Sequence, residues 1–235
     1  MPAPRFDAVV FDKDGTLVAF HPTWDMAFGE MLRILADGDG VALAGAASAA
    51  GYDLATQTVP DTSPIIAESS ATLSAMMAPA LGRVADEAFV GEVDHLLGML
   101  SLEHVTPSAG AGDALAALAA AGVRMAVATN DAEGTARLQI ERLGWTEYFD
   151  FVAGHDSGHG SKPEPTMVLA CAEAITTDPS RVAMVGDTRH DLEAARRAGV
   201  ASILVGGLPE LARSADYPIA DLGALPSVVL GADGS

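Results

Sequence analysis

Apolar runs of strand length recur along the chain at 8–11, 123–129, 149–154, 181–187 and 201–206. Before and between the last four lie stretches with helical spacing, at 111–122, 131–144, from after Pro163 to about Ile175, and 189–199. Gly122, Gly144 and Gly199 close three of them, as glycine does just past a helix end. Strands separated by helices of about ten or more residues predict βαβ units, and so a parallel sheet covered by helices on both faces. The fold class expected is α/β.

Residues 18–104 break this rhythm. They are rich in Ala, Met, Leu and Gly, with helical periodicity at 24–37, 63–81 and 86–100 and no convincing strand. The small-residue stretch 43–55 reads equally as a close-packed helix or a loop. A helical insert directly after the first strand is most simply a separate small domain. The expected division is therefore 1–17 with 105–235 as the core, and 18–104 as the insert.

Composition narrows the function. The 235 residues are 49% hydrophobic, enough for a sizeable core, and no apolar run reaches the length of a membrane span. The opening residues show no signal-peptide layout, so a cytoplasmic location is expected. Cys171 is the only cysteine and sits in an apolar helical setting, which fits a buried inert thiol. The formal charge of −19 argues against nucleic acid and anionic membranes as partners. It also means that an anionic substrate needs a cation or a local basic group to correct the field. Only two lysines occur, Lys13 and Lys162. Nothing in the sequence fixes the oligomeric state.

Ligands of open parallel sheets bind beyond the carboxyl ends of the strands. The first run delivers Asp12-Lys13-Asp14-Gly15-Thr16 there, and the second Thr129-Asn130. The third leads through a Gly/His loop to Lys162-Pro163, and the fourth delivers Gly186-Asp187, with Asp191 four residues on. Residues i and i+2 of a strand share a face, so Asp12 and Asp14 would crowd two like charges into one space. A cation, or one carboxylate kept protonated, gives that crowding a use. Carboxylates, hydroxyl and amide donors and an ammonium are together the inventory for phosphoryl transfer. A calcium loop starting at Asp12 fails, because Leu17 and Thr23 stand where Gly and Glu are needed. A phosphate-binding loop ending at Lys162 fails at Ser161 and Pro163.

"FDKDGT", "ATN", "KPEP" and "VGDTRHD", in this order and each after an apolar run, resemble the haloacid dehalogenase-like hydrolase superfamily in its phosphatase branch. The "DKDGTL" start and the loop "DSGHGSKPEP" (156–165) are similar to bacterial phosphoglycolate phosphatase-like proteins. The resemblance implies a Rossmann-like core with an inserted all-helical cap of the C1 type. It implies that Asp12 is a nucleophile forming an aspartyl phosphate, and that Asp14 protonates the leaving oxygen and then activates water. Thr129, Asn130 and Lys162 would hold the phosphoryl group. Magnesium would be bound by Asp12, by the Asp14 carbonyl and by Asp187, with Asp191 in or near its outer shell. The implied activity is Mg²⁺-dependent hydrolysis of a small phosphorylated metabolite, with 2-phosphoglycolate the leading candidate.

Several positions keep a second reading. Asp191 also suits the first turn of the helix it opens, and Asn130 also suits a helix cap. His21 and Trp24 are candidates for a substrate pocket, but Pro22 and Thr23 also suit a helix start anchored by Trp24. His155, His159 and His190 lie on strand-end loops without the spacing of a closed tetrahedral set. A phosphosugar mutase uses the same Asp pair, and a catalytically silent binding protein could share the scaffold. A dehalogenase has no clear use for Asp14 and a metal site.

Overall fold

The computed structural model describes residues 4–60, 62–66, 68–176, 178–206 and 209–231. The chain divides into two compact units, one formed by Met1–Ala19 with Pro107–Ser235 and the other by Phe20–Thr106. The division points lie within two residues of 17/18 and 104/105.

The first unit is built on six parallel strands: β1 (Ala8–Phe11), β2 (Arg124–Ala128), β3 (Phe151–Ala153), β4 (Val182–Gly186), β5 (Ala201–Val205) and β6 (Tyr217–Ile219). Their order is β3-β2-β1-β4-β5-β6. β1 is therefore central, and the order reverses direction beside it, where open sheets leave a crevice. Side chains alternate across the strands as the pleat requires. Val9, Phe11, Met125, Val127 and Val185 face one core cluster, while Ala8, Val10, Ala126, Ala128 and Met184 face another.

Helices cover both faces. In the first cluster the strands meet Leu115 and Leu118 of α5 (Ala111–Ala120), Ile140 of α6 (Glu133–Arg142) and Val229 of α10 (Leu225–Leu230). In the second they meet Val168 and Cys171 of α7 (Thr166–Ile175) and Ala195 of α8 (Arg189–Ala198). A short helix α9 (Pro209–Ala212) precedes β6. The sheet and its two helical layers are the α/β architecture expected from the sequence.

The second unit is helical: α1 (Met26–Ala36), α2 (Gly40–Ala50), α3 (Ser70–Met77) and α4 (Glu87–Glu103). One cluster holds it, with Met31 and Leu32 of α1, Ala47 and Ala50 of α2, Leu73 and Met77 of α3, and Phe89, Val93 and Leu97 of α4. The stretch 43–55 proves helical to Ala50, because Asp39 caps its start and Gly51 ends it in the left-handed conformation. The long helix expected at 63–81 is corrected to a single turn, Pro64–Ile66, and the shorter α3. Ser69 caps α3 by accepting from Thr72 N, which restarts the helix there. Residue 67 lies outside the described residues. At 21–25 the chain makes a π-helical turn with Pro22 in its first positions, and Trp24 packs against the unit's core. Among the described residues no helix is long and apolar enough to cross a membrane.

Candidate active site

The site is built at the carboxyl end of β1 and its neighbours. Asp12 leaves β1 with its N–H still donating to the Val185 carbonyl of β4 (2.8 Å), so its backbone position is fixed by the sheet. Gly15, at φ +84°, then turns the chain. A Cβ on Gly15 would sit 2.2 Å from Asp187 Oδ2, so the turn needs glycine both for its conformation and for the approach of Asp187. Thr16 Oγ1 donates to Asp187 Oδ1 (2.9 Å) and orients that carboxylate.

Lys162 joins the strand ends. Its Nζ donates to Asp12 Oδ1 (2.5 Å) and to Asp191 Oδ1 (2.7 Å), and all three side chains are buried. Asp191 Oδ2 in turn accepts from Thr188 N (3.0 Å) and Thr188 Oγ1 (2.6 Å), forming a capping box at the start of α8. The two readings of Asp191 thus coexist in one side chain. Both of its oxygens are already taken, one by the helix start and one by Lys162. Gly186 makes room for it, since a Cβ there would lie 2.3 Å from Asp191 Cβ.

Oxygens of Asp12, Asp187 and Asp191 all lie within 4.8 Å of one another. Three carboxylates against one ammonium leave two unbalanced negative charges when all are ionised. Burial, and then the neighbouring Asp191 charge, hold Asp12 well above the usual carboxylate range despite Lys162. The same causes push Asp187 up to about 7. For Lys162 burial favours the neutral amine, but Asp12 and Asp191 outweigh it and raise the ammonium above its ordinary value. An all-oxygen donor set with two excess charges fits a hard divalent cation. Asp12 and Asp187 are the carboxylates best placed to hold one, because the hydrogen bonds of Asp191 are committed elsewhere.

Two predictions follow from this geometry. Gly15→Ala should cost about 1–3 kcal/mol of stability through backbone strain, and should push Asp187 aside. Its melting temperature should then no longer rise on adding Mg²⁺. A wild-type Mg²⁺ response in that variant would show that Asp187 is not held by this turn. The second concerns pH. Asp187 titrates near 7 in the fold against 3.8 ordinarily. Its stabilising contribution is therefore full below about pH 4 and is lost as pH rises through about 7. A cation on the ionised carboxylate cancels that loss. The melting-temperature gain from a fixed Mg²⁺ concentration should be larger at about pH 8 than at about pH 6. An equal or smaller gain at the higher pH would contradict the cation site.

The remaining candidates lie around this centre. Thr129, at the end of β2, is buried and its Oγ1 accepts from Asp131 N (3.1 Å). Asn130 neither caps a helix nor keeps its amide unengaged. It clasps the Lys162 backbone, with Nδ2 donating to the Lys162 carbonyl (3.0 Å) and Oδ1 accepting from Lys162 N (2.8 Å). The cap position of α6 is Ala132, which explains why the capping reading of Asn130 fails. The Asp14 carboxylate is turned to Lys13, whose Nζ lies 2.8 Å from Oδ1 and 2.7 Å from Oδ2. Cys171 is buried against β2, donates to the Val127 carbonyl (3.4 Å), and has its thiol pushed up to about 12 by burial. Among the described residues no histidine joins the carboxylate group.

Sequence reasoning passed over Thr16 and Thr188 as orienting hydroxyls, although both fall inside quoted motifs. It also gave no role to Gln139, a helix residue with no local signal, which meets Lys13 inside the core.

Comparison with known proteins fits this geometry. The profile of the haloacid dehalogenase-like hydrolases matches residues 6–199. A phosphoglycolate phosphatase of Rhodospirillum rubrum is 32% identical over 235 aligned residues, covering 93% of this chain and 85% of that protein. The tyrosine-protein kinase PtkA of Mycobacterium tuberculosis is 36% identical over 200 residues, 84% of this chain but only 61% of that longer protein. Among solved structures, an L-2-haloacid dehalogenase from Xanthobacter autotrophicus shares the fold at TM-score 0.64 and 20% identity, covering 97% of this chain and all of that one (100%). A subfamily IA hydrolase from Geobacter sulfurreducens does so at TM-score 0.67 and 17% identity, with 96% and 97% covered. The parallel sheet, the strand-end carboxylates and the matched profile place this chain in the haloacid dehalogenase-like hydrolase family, as a phosphatase of the phosphoglycolate phosphatase-like kind.

Proposed function

We propose that the chain is a Mg²⁺-dependent phosphatase that hydrolyses a small phosphomonoester through an aspartyl phosphate on Asp12. The observation that carries this reading is Asp12 itself. It is a buried carboxylate fixed at the end of the central strand, hydrogen-bonded to Lys162, within a group that fits a divalent cation. When bound, Mg²⁺ would supply charge neutralisation for the carboxylates and the phosphoryl oxygens.

The chain's own groups supply the rest. Lys162 binds phosphoryl oxygens, assisted by Thr129, and Asn130 sets the Lys162 backbone from behind. A carboxylate oxygen of Asp12 attacks phosphorus, and the bond from phosphorus to the leaving oxygen breaks. Protonated Asp14 gives its proton to that oxygen, and the alcohol departs. Water then attacks the aspartyl phosphate while Asp14 takes its proton. The P–O bond to Asp12 breaks, returning free carboxylate and inorganic phosphate. Asp191 touches neither partner in these steps but fixes Lys162 against Asp12.

2-Phosphoglycolate is the leading substrate, supported by the Rhodospirillum rubrum relative. The helical unit at 20–106 acts as the C1-type cap that selects it. A screen of the purified protein against phosphomonoesters with Mg²⁺ tests this. Release of inorganic phosphate, with 2-phosphoglycolate among the fastest, is expected; no release from any member would sink the reading. The similarity to PtkA supports a second reading, transfer of a nucleotide phosphoryl group to a tyrosine hydroxyl. Phosphotyrosine formed from ATP, with no free phosphate from the panel, would favour it.

A further inference from the structure

Lys13 is wholly buried, yet it is a lysine in a chain that has only two. Its ammonium lies 2.5 Å from Gln139 Oε1, 3.1 Å from Asp131 Oδ2, and 2.7 and 2.8 Å from the two oxygens of Asp14. These partners come from different places. Asp131 follows β2, with its carbonyl accepting from His155 N (3.0 Å) and its Oδ1 from Ala132 N (2.7 Å). Gln139 is buried on α6. The Lys13 carbonyl also closes the turn after Asp12 by accepting from Val18 N (2.8 Å). The scaffold thus holds the ammonium through Asp131 and Gln139, and the same ammonium holds the partly exposed Asp14 carboxylate.

Stability alone gives a poor account of this cluster. Burying an ammonium among polar groups rarely outdoes an apolar side chain of the same volume. Among the described residues Gln139 Nε2 is moreover buried with no hydrogen-bond partner. Such costs are tolerated where a group is needed in one place.

We propose that Lys13, anchored by Asp131 and Gln139, is the positioning residue for the Asp14 carboxylate. One Asp14 oxygen stays on the ammonium as a pivot while the other turns to the reacting atoms. The inference rests on the phosphatase reading through the role given to Asp14 in both steps.

The test uses p-nitrophenyl phosphate and phenyl phosphate in rapid-quench kinetics. The nitrophenolate leaves without protonation, whereas phenol leaves poorly without it. The variant Lys13→Met with Asp131→Asn removes one charge of each sign, so the core stays balanced, and its melting temperature is checked. We expect a burst of about one nitrophenolate per protein, then steady turnover lowered about 10–10²-fold as the phosphorylated protein waits for water to be activated. Phenyl phosphate should show no burst and a larger loss. Gln139→Leu keeps both charges paired, removes one anchor, and should show the same stall at smaller amplitude. Asp14→Asn is the reference and should stall most. If Asp14→Asn stalls while both other variants turn over like wild type, or lose rate equally on both esters without a burst, the positioning role is overturned and the phosphatase reading stands. If Asp14→Asn itself is fully active, the role of Asp14 falls and this inference with it.

Discussion

Asp12→Asn should lose turnover on the order of 10⁴-fold or more while melting no lower than wild type in metal-free buffer. The first effect follows from chemistry. An amide is not a nucleophile towards phosphorus, and Asp14, the other carboxylate at the end of the central strand, is turned to Lys13. The second follows from the electrostatics. Asp12 is buried beside Asp187 and Asp191, and its ionisation is opposed first by burial and then by the Asp191 charge. Neutralising it removes a repulsion and still leaves Lys162 paired with Asp191 at 2.7 Å. A site that is less stable than its mutant is what stored electrostatic strain looks like. Steady-state rates and thermal melting of the same preparation check both halves. A variant that melts well below wild type would mean that Asp12 serves the fold, and turnover near wild type would place the nucleophile elsewhere.

Changing Lys162 should act in the opposite sense on stability. Lys162→Met leaves Asp12 and Asp191 buried without their cation, which costs about 3–5 kcal/mol together with about 10²–10³-fold in rate. Lys162→Arg is the sharper variant, because it keeps the charge. The ammonium meets two carboxylate oxygens from one point, at 2.5 and 2.7 Å, in a space where little surface is exposed. A planar guanidinium fork cannot occupy that point without moving one partner. A rate loss of about 10²–10³-fold is expected here as well, with a smaller loss of melting temperature than for Lys162→Met. Wild-type rates from Lys162→Arg would show that charge alone suffices and that the hydrogen bonds to Asp12 and Asp191 are incidental.

The core strands were legible because each is an apolar run bounded by helix-length segments with glycine stops. β6 was not, for two reasons that its position explains. It has only three residues, Tyr217–Ile219, and its centre is Pro218. Proline cannot donate to a ladder, so it argues against a strand except at a sheet edge, which is where β6 lies. In the helical unit the apolar spacing of 63–81 concealed a break, because Pro64 and Ser69 each start a helical segment. The strand-end rule brought Asp12, Lys162, Asp187 and Asp191 into one neighbourhood from positions up to 179 residues apart in the chain (191 − 12). Contacts between loops carried no such signal. Asn130 is an amide after β2, and only the fold shows that it clasps the Lys162 backbone. Lys13 is conspicuous in the sequence for its rarity, but only the fold shows that it turns into the core to meet Gln139 of α6.

The central claim is a covalent phosphoryl group on Asp12, and trapping it is the most direct measurement. Wild-type protein mixed with Mg²⁺ and ³²P-labelled substrate is quenched in acid within milliseconds, and the labelled peptide is identified after digestion. Label is expected on the peptide bearing Asp12, at up to one equivalent per protein, labile to hydroxylamine and absent from Asp12→Asn. Substrate turned over at full rate with no acid-stable label at any quench time, or label on another residue, would contradict it.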